Sequence, residues 1–301
     1  MAQKFLISGG TGLVGQFLTN LLISEGKEVV HLTRNPREGS VKQFYWHPDK
    51  QEGDKNALNG VDTIIHLAGE GVADKRWSES QKKRILDSRV KSTQLLVSWL
   101  KAGNHQVKSF VSASAVGIYG PYPSGRVTEN HPAGEGFLAN VCVEWENEAN
   151  KAKVYVDHLA ILRIGLVLST KGGFLKAIQT PAKFGFAAAF GSNKAIQPWI
   201  HIQDLARMFY FISEQRLNGV FNATAPNPVS SQVMMKSVCS ALGSPYFLPA
   251  VPVPVLKVLF GEMGGMLAAS QQVVPEKLLN SGFSFEFPEL NWALADLLRS
   301  S

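Results

Sequence analysis

A glycine-rich stretch near the start of the chain has the residue types that bind phosphate groups. The sequence SGGTGLVG places Gly9, Gly12 and Gly15 in the spacing G-x-x-G-x-x-G, between an apolar run and an amphipathic segment. The first glycine permits a tight turn, the second admits a pyrophosphate, and the third lets a helix pack closely on a strand. The N-terminus of that helix, at Leu13 and Val14, offers free N–H groups to phosphates. We therefore expect these five residues to bind a dinucleotide.

The end of the second apolar run distinguishes between the two nicotinamide dinucleotides. A carboxylate there would hydrogen-bond the adenosine ribose of NAD, whereas an arginine would accept the 2′-phosphate of NADP. The sequence HLTRNPRE puts Thr33 and Arg34 at this place, with Arg37 nearby and Glu38 four residues after Arg34. Because a guanidinium can pair with a phosphate through two hydrogen bonds, NADP is predicted and NAD is less favoured. A solvated surface arginine is the alternative interpretation of Arg34.

The third apolar run ends in small residues, which suit the passage of a cofactor along a sheet edge. The residues expected there are Leu67, Ala68, Gly69 and Glu70. A plain turn is the alternative interpretation. Arg89 lies on the helical pattern that follows and is predicted to bind the cofactor because its helix begins at the same edge, although it could instead belong to a solvated basic face. Ser112 and Val167 complete the predicted cofactor-binding set.

The elements that must position these residues alternate between two kinds of pattern. Short runs rich in Val and Ile predict strands over 4–8, 28–34, 62–69, 107–114, 158–168 and 218–226. Helical spacing predicts helices over 13–26, 78–103 and 135–153, and a strand followed by a helix over 198–212. This alternation predicts an α/β fold, a Rossmann-type doubly wound parallel sheet covered by helices on both faces. Residues 227–301 form a smaller, mainly helical part.

Composition argues against several classes of function. The chain has 301 residues and a net charge of +6 that is spread over both halves, so nucleic-acid binding is not expected. Its two cysteines, Cys142 and Cys239, lack the spacing of a metal site or redox motif, so we expect no metal and a reducing cytoplasm. No signal-peptide pattern precedes the first strand. The apolar region 246–269 contains prolines and charges, so no membrane span is expected.

Several motifs, in this order and spacing, resemble the extended short-chain dehydrogenases/reductases, the relatives of nucleotide-sugar epimerases. They are SGGTGLVG, DTIIHLAGE, RVKSTQLL, SASAVGIYG, LRIGLVLS, PWIHIQDLA and NGVFNATAP. HLAGE, WSES and VEWENEA look like an atypical epimerase-like subgroup, whose members are often labelled NAD-dependent epimerase or cell division inhibitor. The resemblance implies an NAD(P)-binding domain over 1–225, with 170–200 inserted towards the substrate side. It also implies a C-terminal domain of unknown function over 247–295, within a substrate-binding part.

The same resemblance implies a catalytic Ser or Thr after the fifth strand and a Tyr-x-x-x-Lys pair on the next helix. In that pair the lysine lowers the pKa of the tyrosine, which exchanges a proton while hydride moves to or from the nicotinamide. None of the six tyrosines is followed by lysine four residues later, so the pair is absent. Ser114 best matches the family serine, and Tyr119 in the next loop could supply a phenol. Packing of the loop is the alternative role of Tyr119, and Cys142 is interpreted as a small apolar helix residue.

Two functions remain open from the sequence. The first is an NADP-dependent oxidoreductase or epimerase that acts on an unidentified small molecule through Ser114 and Tyr119. The second is a non-catalytic NADP-binding sensor or scaffold. The resemblance also implies a possible homodimer, since related enzymes often dimerise through two helices per subunit. Here these would be 78–102 and 135–153, the second with Phe137, Val141 and Trp145 recurring every four residues. Asp204 is predicted to cap the helix within 198–212, and His201 is interpreted as either a substrate contact or a core residue.

Overall fold

The structure is a computed structural model that describes residues 3–103 and 105–299. Its strands are β1 Lys4–Ser8, β2 Glu28–Thr33, β3 Lys42–His47, β4 Glu52–Gly53, β5 Thr63–His66, β6 Ser109–Ala115, β7 Arg126–Val127, β8 His158–Ile164, β9 Leu166–Leu168, β10 Ile196–Gln197, β11 Trp199–His201, β12 Gly219–Ala223, β13 Val229–Ser230 and β14 Gln272–Val273. Its α-helices are α1 Leu13–Ser24, α2 Glu79–Lys101, α3 Phe137–Asn150, α4 Gly173–Lys183, α5 Ile202–Glu214, α6 Ser231–Ala241, α7 Val253–Phe260, α8 Met263–Leu267, α9 Glu276–Asn280 and α10 Leu290–Arg299.

Eight strands form one sheet in the order β12-β8-β6-β5-β1-β2-β3-β4. All neighbours are parallel except β3 and β4. The chain runs outwards in both directions from β1, so the strand order reverses beside β1. In open α/β sheets this reversal opens a crevice at the carboxyl ends of the strands, where ligands bind. The predicted doubly wound α/β fold is therefore confirmed.

Helices cover both faces of the sheet. Helices α1 and α5 pack together on one face, and α2 and α3 pack together on the other. The first face includes Leu18 and Phe209 in its core, and the second includes Leu96 and Phe110. Helix α2 begins after Ser78, whose Oγ accepts a hydrogen bond from the N–H of Gln81, as the sequence pattern predicts for an N-cap.

The structure corrects two parts of the predicted strand pattern. Strands β3 and β4 lie between the predicted second and third strands and extend the sheet at one edge. The predicted strand 158–168 is divided at Gly165, because a Cβ there would lie 2.3 Å from the carbonyl oxygen of Pro198. After this crossing β9 leaves the main sheet and pairs with β11.

Asp204 joins the C-terminal part to the sheet domain. Its carboxylate is fully buried and accepts hydrogen bonds from the backbone N–H groups of Glu286 and Phe287, at 3.0 and 2.9 Å. The prediction that Asp204 caps α5 is wrong. His201 is the cap, since its Nδ1 accepts from the N–H of Gln203 at 3.1 Å. His201 also stacks on Phe287 with ring centroids 3.9 Å apart, so it is a core residue.

None of the described helices combines the length and hydropathy that a membrane span requires.

Candidate functional site

The glycine loop lies between β1 and α1, next to the reversal of strand order. Gly9 has φ +74°, and a Cβ there would lie 3.0 Å from the backbone N of Ala68 on the neighbouring strand's loop. A Cβ on Gly15 would lie 2.3 Å from the carbonyl oxygen of Gly9, so α1 is held against the turn. Gly12 is exposed and donates its N–H to Gly9 at 3.0 Å. The partly exposed Gly9 and the buried Gly15 therefore shape the loop, and the exposed Gly12 leaves it open to a ligand.

The first turn of α1 is an anion-binding end. Gly12 is its N-cap and supplies no side chain, and the first turn has no acidic residue. The N–H groups at Leu13 and Val14 therefore have no side-chain acceptor from the cap, and both residues are partly exposed. Free N–H groups and the positive end of the helix dipole favour a phosphate here.

A buried histidine supports the loop from below, and sequence reasoning did not find it. A Cβ on Gly10 would lie 2.4 Å from Cδ2 of His31, so the loop rests on this ring. His31 Nε2 is 2.8 Å from Thr19 Oγ1. Burial lowers the pKa of His31, which favours the neutral ring. The consecutive glycines at positions 9 and 10 were the available signal for this close contact.

Arg34 follows the last residue of β2 and is exposed. Within the described residues its guanidinium forms no hydrogen bond or ion pair, so its donors are available to a ligand. Thr33 is partly exposed, and its Oγ1 accepts from the N–H of Asn35 at 3.3 Å. The structure thus places both predicted residues at the carboxyl end of β2.

Arg89 and the loop after β5 lie together, as predicted. Arg89 Nη1 donates to the carbonyl oxygen of Glu70 at 3.0 Å. Its guanidinium lies over the ring of Trp145, 5.1 Å from the centroid, and a Cβ on Gly69 would lie 3.2 Å from its Cζ. Leu67 holds this loop to β1 by donating its N–H to Ser8 at 3.0 Å. A cation therefore stands at the carboxyl edge of the sheet beside the small residues.

Two other predicted cofactor residues have different surroundings. Val167 is partly exposed in β9, and the turn that follows lies over α1, where a Cβ on Gly172 would be 3.4 Å from the side chain of Leu13. Ser112 is fully buried within β6, and its hydroxyl donates to the carbonyl oxygen of Ala113 at 3.1 Å. The hydroxyl of Ser112 is thus engaged inside the sheet, whereas Val167 lies beside the crevice.

Ser114 forms a short hydrogen bond to a buried ion pair. Its Oγ donates to Glu146 Oε1 at 2.6 Å. Arg163 on β8 holds the same carboxylate through two bonds, Nε to Oε1 at 2.9 Å and Nη2 to Oε2 at 2.8 Å. This pairing raises the pKa of Arg163 against the opposing effect of its burial. Neither Arg163 nor Glu146 was among the site residues predicted from the sequence.

Tyr119 belongs to the same network. Its hydroxyl donates to Asn222 Oδ1 at 2.7 Å and accepts from Arg163 Nη1 at 2.9 Å. Only 2% of its surface is exposed. Burial raises the pKa of Tyr119, while Arg163 acts in the opposite direction. The phenol therefore has a structural role between β8 and β12, which is the alternative that the sequence left open.

Leu138 and Cys142 have the four-residue spacing of the missing pair on α3. Both lie against the turn 116–119, where a Cβ on Gly117 would be 3.3 Å from Leu138 Cβ and 4.0 Å from Cys142 Sγ. Burial raises the pKa of Cys142 to about 11, and Arg89 partly offsets this. At neutral pH this face of α3 therefore offers an alkyl group and a neutral thiol in place of a phenol and an ammonium.

The apolar stripe behind the predicted homodimer is covered within its own chain. Val141 and Trp145 are 3% and 5% exposed, and Phe137 packs on Trp77 with ring centroids 5.0 Å apart. The outward face of α3 carries the polar residues Asn140, Glu144 and Asn147. An interface through this helix would therefore be polar, and the homodimer stays a prediction.

Family models match two parts of the chain. Residues 5–223 match the NAD dependent epimerase/dehydratase family. Residues 251–297 match a domain of unknown function, DUF1731. The first match covers the sheet, and the second covers α7 to α10.

Relatives of similar length share about a third of the sequence. Epimerase family protein SDR39U1 of Mus musculus is 32% identical, over 98% of this chain and 100% of the relative. Epimerase family protein YfhF of Bacillus subtilis is 33% identical, over 98% of each chain.

Solved structures give the same result. The human epimerase family protein SDR39U1 (isoform 2), crystallised with NADPH, has a TM-score of 0.90 and 30% identity, over 99% of this chain and 100% of that one. The nucleoside-diphosphate sugar epimerase of Corynebacterium glutamicum has a TM-score of 0.80 and 31% identity, over 99% of this chain and 58% of that one. UDP-N-acetylglucosamine 4-epimerase of Bacillus cereus shares the fold, with a TM-score of 0.80 at 19% identity. The predicted resemblance is confirmed, and the chain belongs to the NAD-dependent epimerase/dehydratase family.

Proposed function

We propose that this protein is an NADP(H)-dependent oxidoreductase or epimerase of a small molecule, and that it transfers hydride without the Tyr-x-x-x-Lys pair. The observation that carries the proposal is the 2.6 Å hydrogen bond between Ser114 and Glu146 at the carboxyl end of β6. A hydroxyl coupled to a carboxylate can exchange a proton, which hydride transfer to or from a carbonyl requires. This array lies at the carboxyl end of β6, the edge at which open α/β sheets bind their ligands.

Arg34 supports NADP(H) as the cofactor. Its guanidinium is exposed and free of protein partners in the described residues, at the end of β2 where the adenosine ribose lies in this fold. The related human protein was crystallised with NADPH. Arg89 provides a second cation at the sheet edge, next to Gly69 and Glu70. The nicotinamide of the bound cofactor supplies the hydride chemistry, and the chain's own residues bind, orient and exchange the proton.

A second candidate is a non-catalytic NADP(H)-binding sensor or scaffold. Leu138 and Cys142 favour it, because they replace the acid and its cationic partner at the same spacing. The hydroxyl of Tyr119 favours it as well, since both its donor and its acceptor capacity are used by Asn222 and Arg163. In this candidate the fold retains cofactor binding and has lost the proton donor.

Ser114→Ala separates the two candidates, with Ser98→Ala on the exposed side of α2 as the matched control. NADPH oxidation is measured over a broad panel of carbonyl compounds, and NADP⁺ reduction over the corresponding alcohols. We expect turnover by wild type, a loss of roughly 10²- to 10⁴-fold in kcat/KM for Ser114→Ala, and unchanged NADPH affinity. Absence of turnover in both panels, with no cellular phenotype for Ser114→Ala, would replace the enzyme by the sensor.

We also propose a cytoplasmic location. Cys142 and Cys239 are both free and buried, so the chain uses no disulfide to stabilise its fold. Free thiols are typical of reducing compartments. Fractionation of cells that express the full chain, with native localisation of the protein detected by antibody, tests this proposal.

A further inference from the structure

We propose that Glu146 positions the proton of Ser114 and receives it during turnover, so that the site takes an alcohol as its substrate. The inference rests on the proposed function and adds to it the chemical class of the substrate and a second residue. Glu146 acts through Ser114 and is therefore a positioning residue.

The direction of the Ser114 proton follows from the ion pair. Arg163 forms two hydrogen bonds with the Glu146 carboxylate, at 2.9 and 2.8 Å, and all three side chains are buried. A carboxylate stabilised in this way is ionised and can only accept hydrogen bonds. Since the Ser114 hydroxyl has one proton and lies 2.6 Å from Oε1, that proton points to Glu146.

The direction of this proton determines what Ser114 can bind. With its proton engaged, the hydroxyl offers only lone pairs to a ligand. A substrate hydroxyl would donate to these lone pairs, whereas a carbonyl oxygen has no proton to give and would face them unpaired. The site is therefore complementary to an alcohol rather than to the ketone or aldehyde that oxidation produces.

The resulting step is balanced. The C–H bond at the alcohol carbon breaks, and its hydride moves to C4 of the oxidised nicotinamide. The alcohol O–H bond breaks at the same time, its proton passes to Ser114 Oγ, and the original proton of Ser114 passes to Glu146. The products are a carbonyl compound, NADPH and a protonated Glu146, which then returns its proton to water.

The other ionisable groups around Ser114 do not compete for this proton. Cys142 on α3 lies within hydrogen-bond reach of Ser114, but burial raises the pKa of its thiol to about 11, so the thiol stays neutral and is not a base. Tyr119 has a raised pKa and donates to Asn222. Arg163, which pairs with Ser114 across β6 and β8, is a cation with no acceptor capacity. Among the described residues, Glu146 is thus the base that contacts Ser114.

Neutron diffraction of the deuterated wild-type protein with NADPH tests the proton position directly. We expect nuclear density for a deuteron between Ser114 Oγ and Glu146 Oε1. A deuteron on Ser114 that points away from Glu146, or a carboxyl group that carries its own deuteron towards Ser114, would overturn the inference. This measurement needs neither a variant nor a substrate, so it decides the role of Glu146 even where the proposed enzymatic function fails.

Glu146→Gln tests whether the Ser114 proton passes to Glu146 during turnover. Glu144→Gln, at an exposed position of the same helix, is the control. In the panel of alcohols with NADP⁺, we expect E146Q to lose roughly 10²- to 10⁴-fold in kcat/KM, while NADPH affinity stays within twofold. Wild-type activity that E146Q retains in full would refute the relay.

Discussion

Gly15→Ala tests the claim that the third glycine holds α1 against β1, whereas Gly12→Ala tests access to the phosphates. A Cβ at position 15 would lie 2.3 Å from the carbonyl oxygen of Gly9 and 2.6 Å from the Cα of Gly10. Comfortable carbon contacts begin near 3.5 Å, so the turn and the helix must separate by about 1 Å. The opposing atoms are backbone, so no side-chain rotation can relieve the contact. We expect a loss of about 1–3 kcal/mol in the free energy of unfolding.

Position 12 gives the opposite expectation. Gly12 has φ −77°, which any residue adopts, and a Cβ there would meet only the Gly9 oxygen at 3.2 Å. Its added methyl group would stand on the exposed side of the loop, where a pyrophosphate approaches the helix end. Gly12→Ala should therefore weaken NADPH binding and change the free energy of unfolding by less than about 0.5 kcal/mol, as surface substitutions do.

Urea unfolding and NADPH fluorescence titration measure the two effects separately. Gly39→Ala is the matched control, because a Cβ there meets nothing within 4 Å. If Gly15→Ala unfolds at the same urea concentration as wild type and binds NADPH equally well, the contact across the turn does not hold α1. The physical reasoning about the glycine motif would then be refuted for this chain.

Three further substitutions follow from the same structure. Arg34→Ala should weaken NADPH binding by about 1.5–3 kcal/mol, because charge-assisted hydrogen bonds to the 2′-phosphate are lost. NADH has no 2′-phosphate, so its binding should be nearly unchanged. Equal losses of affinity in the NADPH and NADH titrations would argue against a phosphate contact. Asp204→Ala removes the buried acceptor of two part-buried N–H groups and should cost about 2–5 kcal/mol in the free energy of unfolding, with faster hydrogen exchange at Glu286 and Phe287. Wild-type stability in urea unfolding would contradict this. Burial lowers the pKa of His66 in the folded protein to about 3. In the unfolded chain the ring has its ordinary pKa of about 6.5, so below that pH the unfolded state binds one proton that the folded state does not bind. The free energy of unfolding should therefore fall by about 2 kcal/mol from pH 7 to pH 5. His66→Gln should flatten that decline, and an unchanged slope in urea unfolding would assign it to other groups.

The sheet was largely predictable because its signals are local. Each strand of the first βαβ unit is a short, mainly apolar run, and the glycines and the N-cap Ser78 mark helix ends within a few residues. The strand 158–168 failed for a non-local reason. Its division depends on the backbone of Pro198, which crosses Gly165 and which no pattern near position 165 reveals.

Strand β3 was missed because its signal is weak. KQFYWH alternates between more and less buried residues, but two aromatic residues interrupt the contrast between apolar and polar positions. In the folded chain Phe44 and Trp46 are buried against α2 and the neighbouring strands, whereas Tyr45 forms a hydrogen bond near the surface. Tertiary packing therefore decided a pattern that sequence alone left undefined.

The positions of the glycine loop and of the ends of β2 and β5 were predictable for the same local reasons, whereas the polar network was not, and the cofactor roles of these residues stay predictions. Glu146 and Arg163 lie on a helix and a strand that meet only after the sheet has formed, and neither has a diagnostic neighbour in sequence. The absence of the lysine of the Tyr-x-x-x-Lys pair can be read from the sequence, whereas the carboxylate of Glu146 beside Ser114 cannot. In the folded chain the Glu146 carboxylate accepts a hydrogen bond from the Ser114 hydroxyl. It does not lie beside a phenol, whose pKa its negative charge would raise.

The position of Arg89 gives a physical reason for the missing lysine. Cys142 follows Leu138 by four residues, the spacing of a Tyr-x-x-x-Lys pair, and its neutral thiol lies close enough to the Arg89 guanidinium for that charge to act on the pKa of the thiol. A lysine at position 142 would bring a second cation against Arg89 in a buried setting, where like charges are costly. The crevice therefore accommodates one cation beside Trp145, and this chain supplies it from α2.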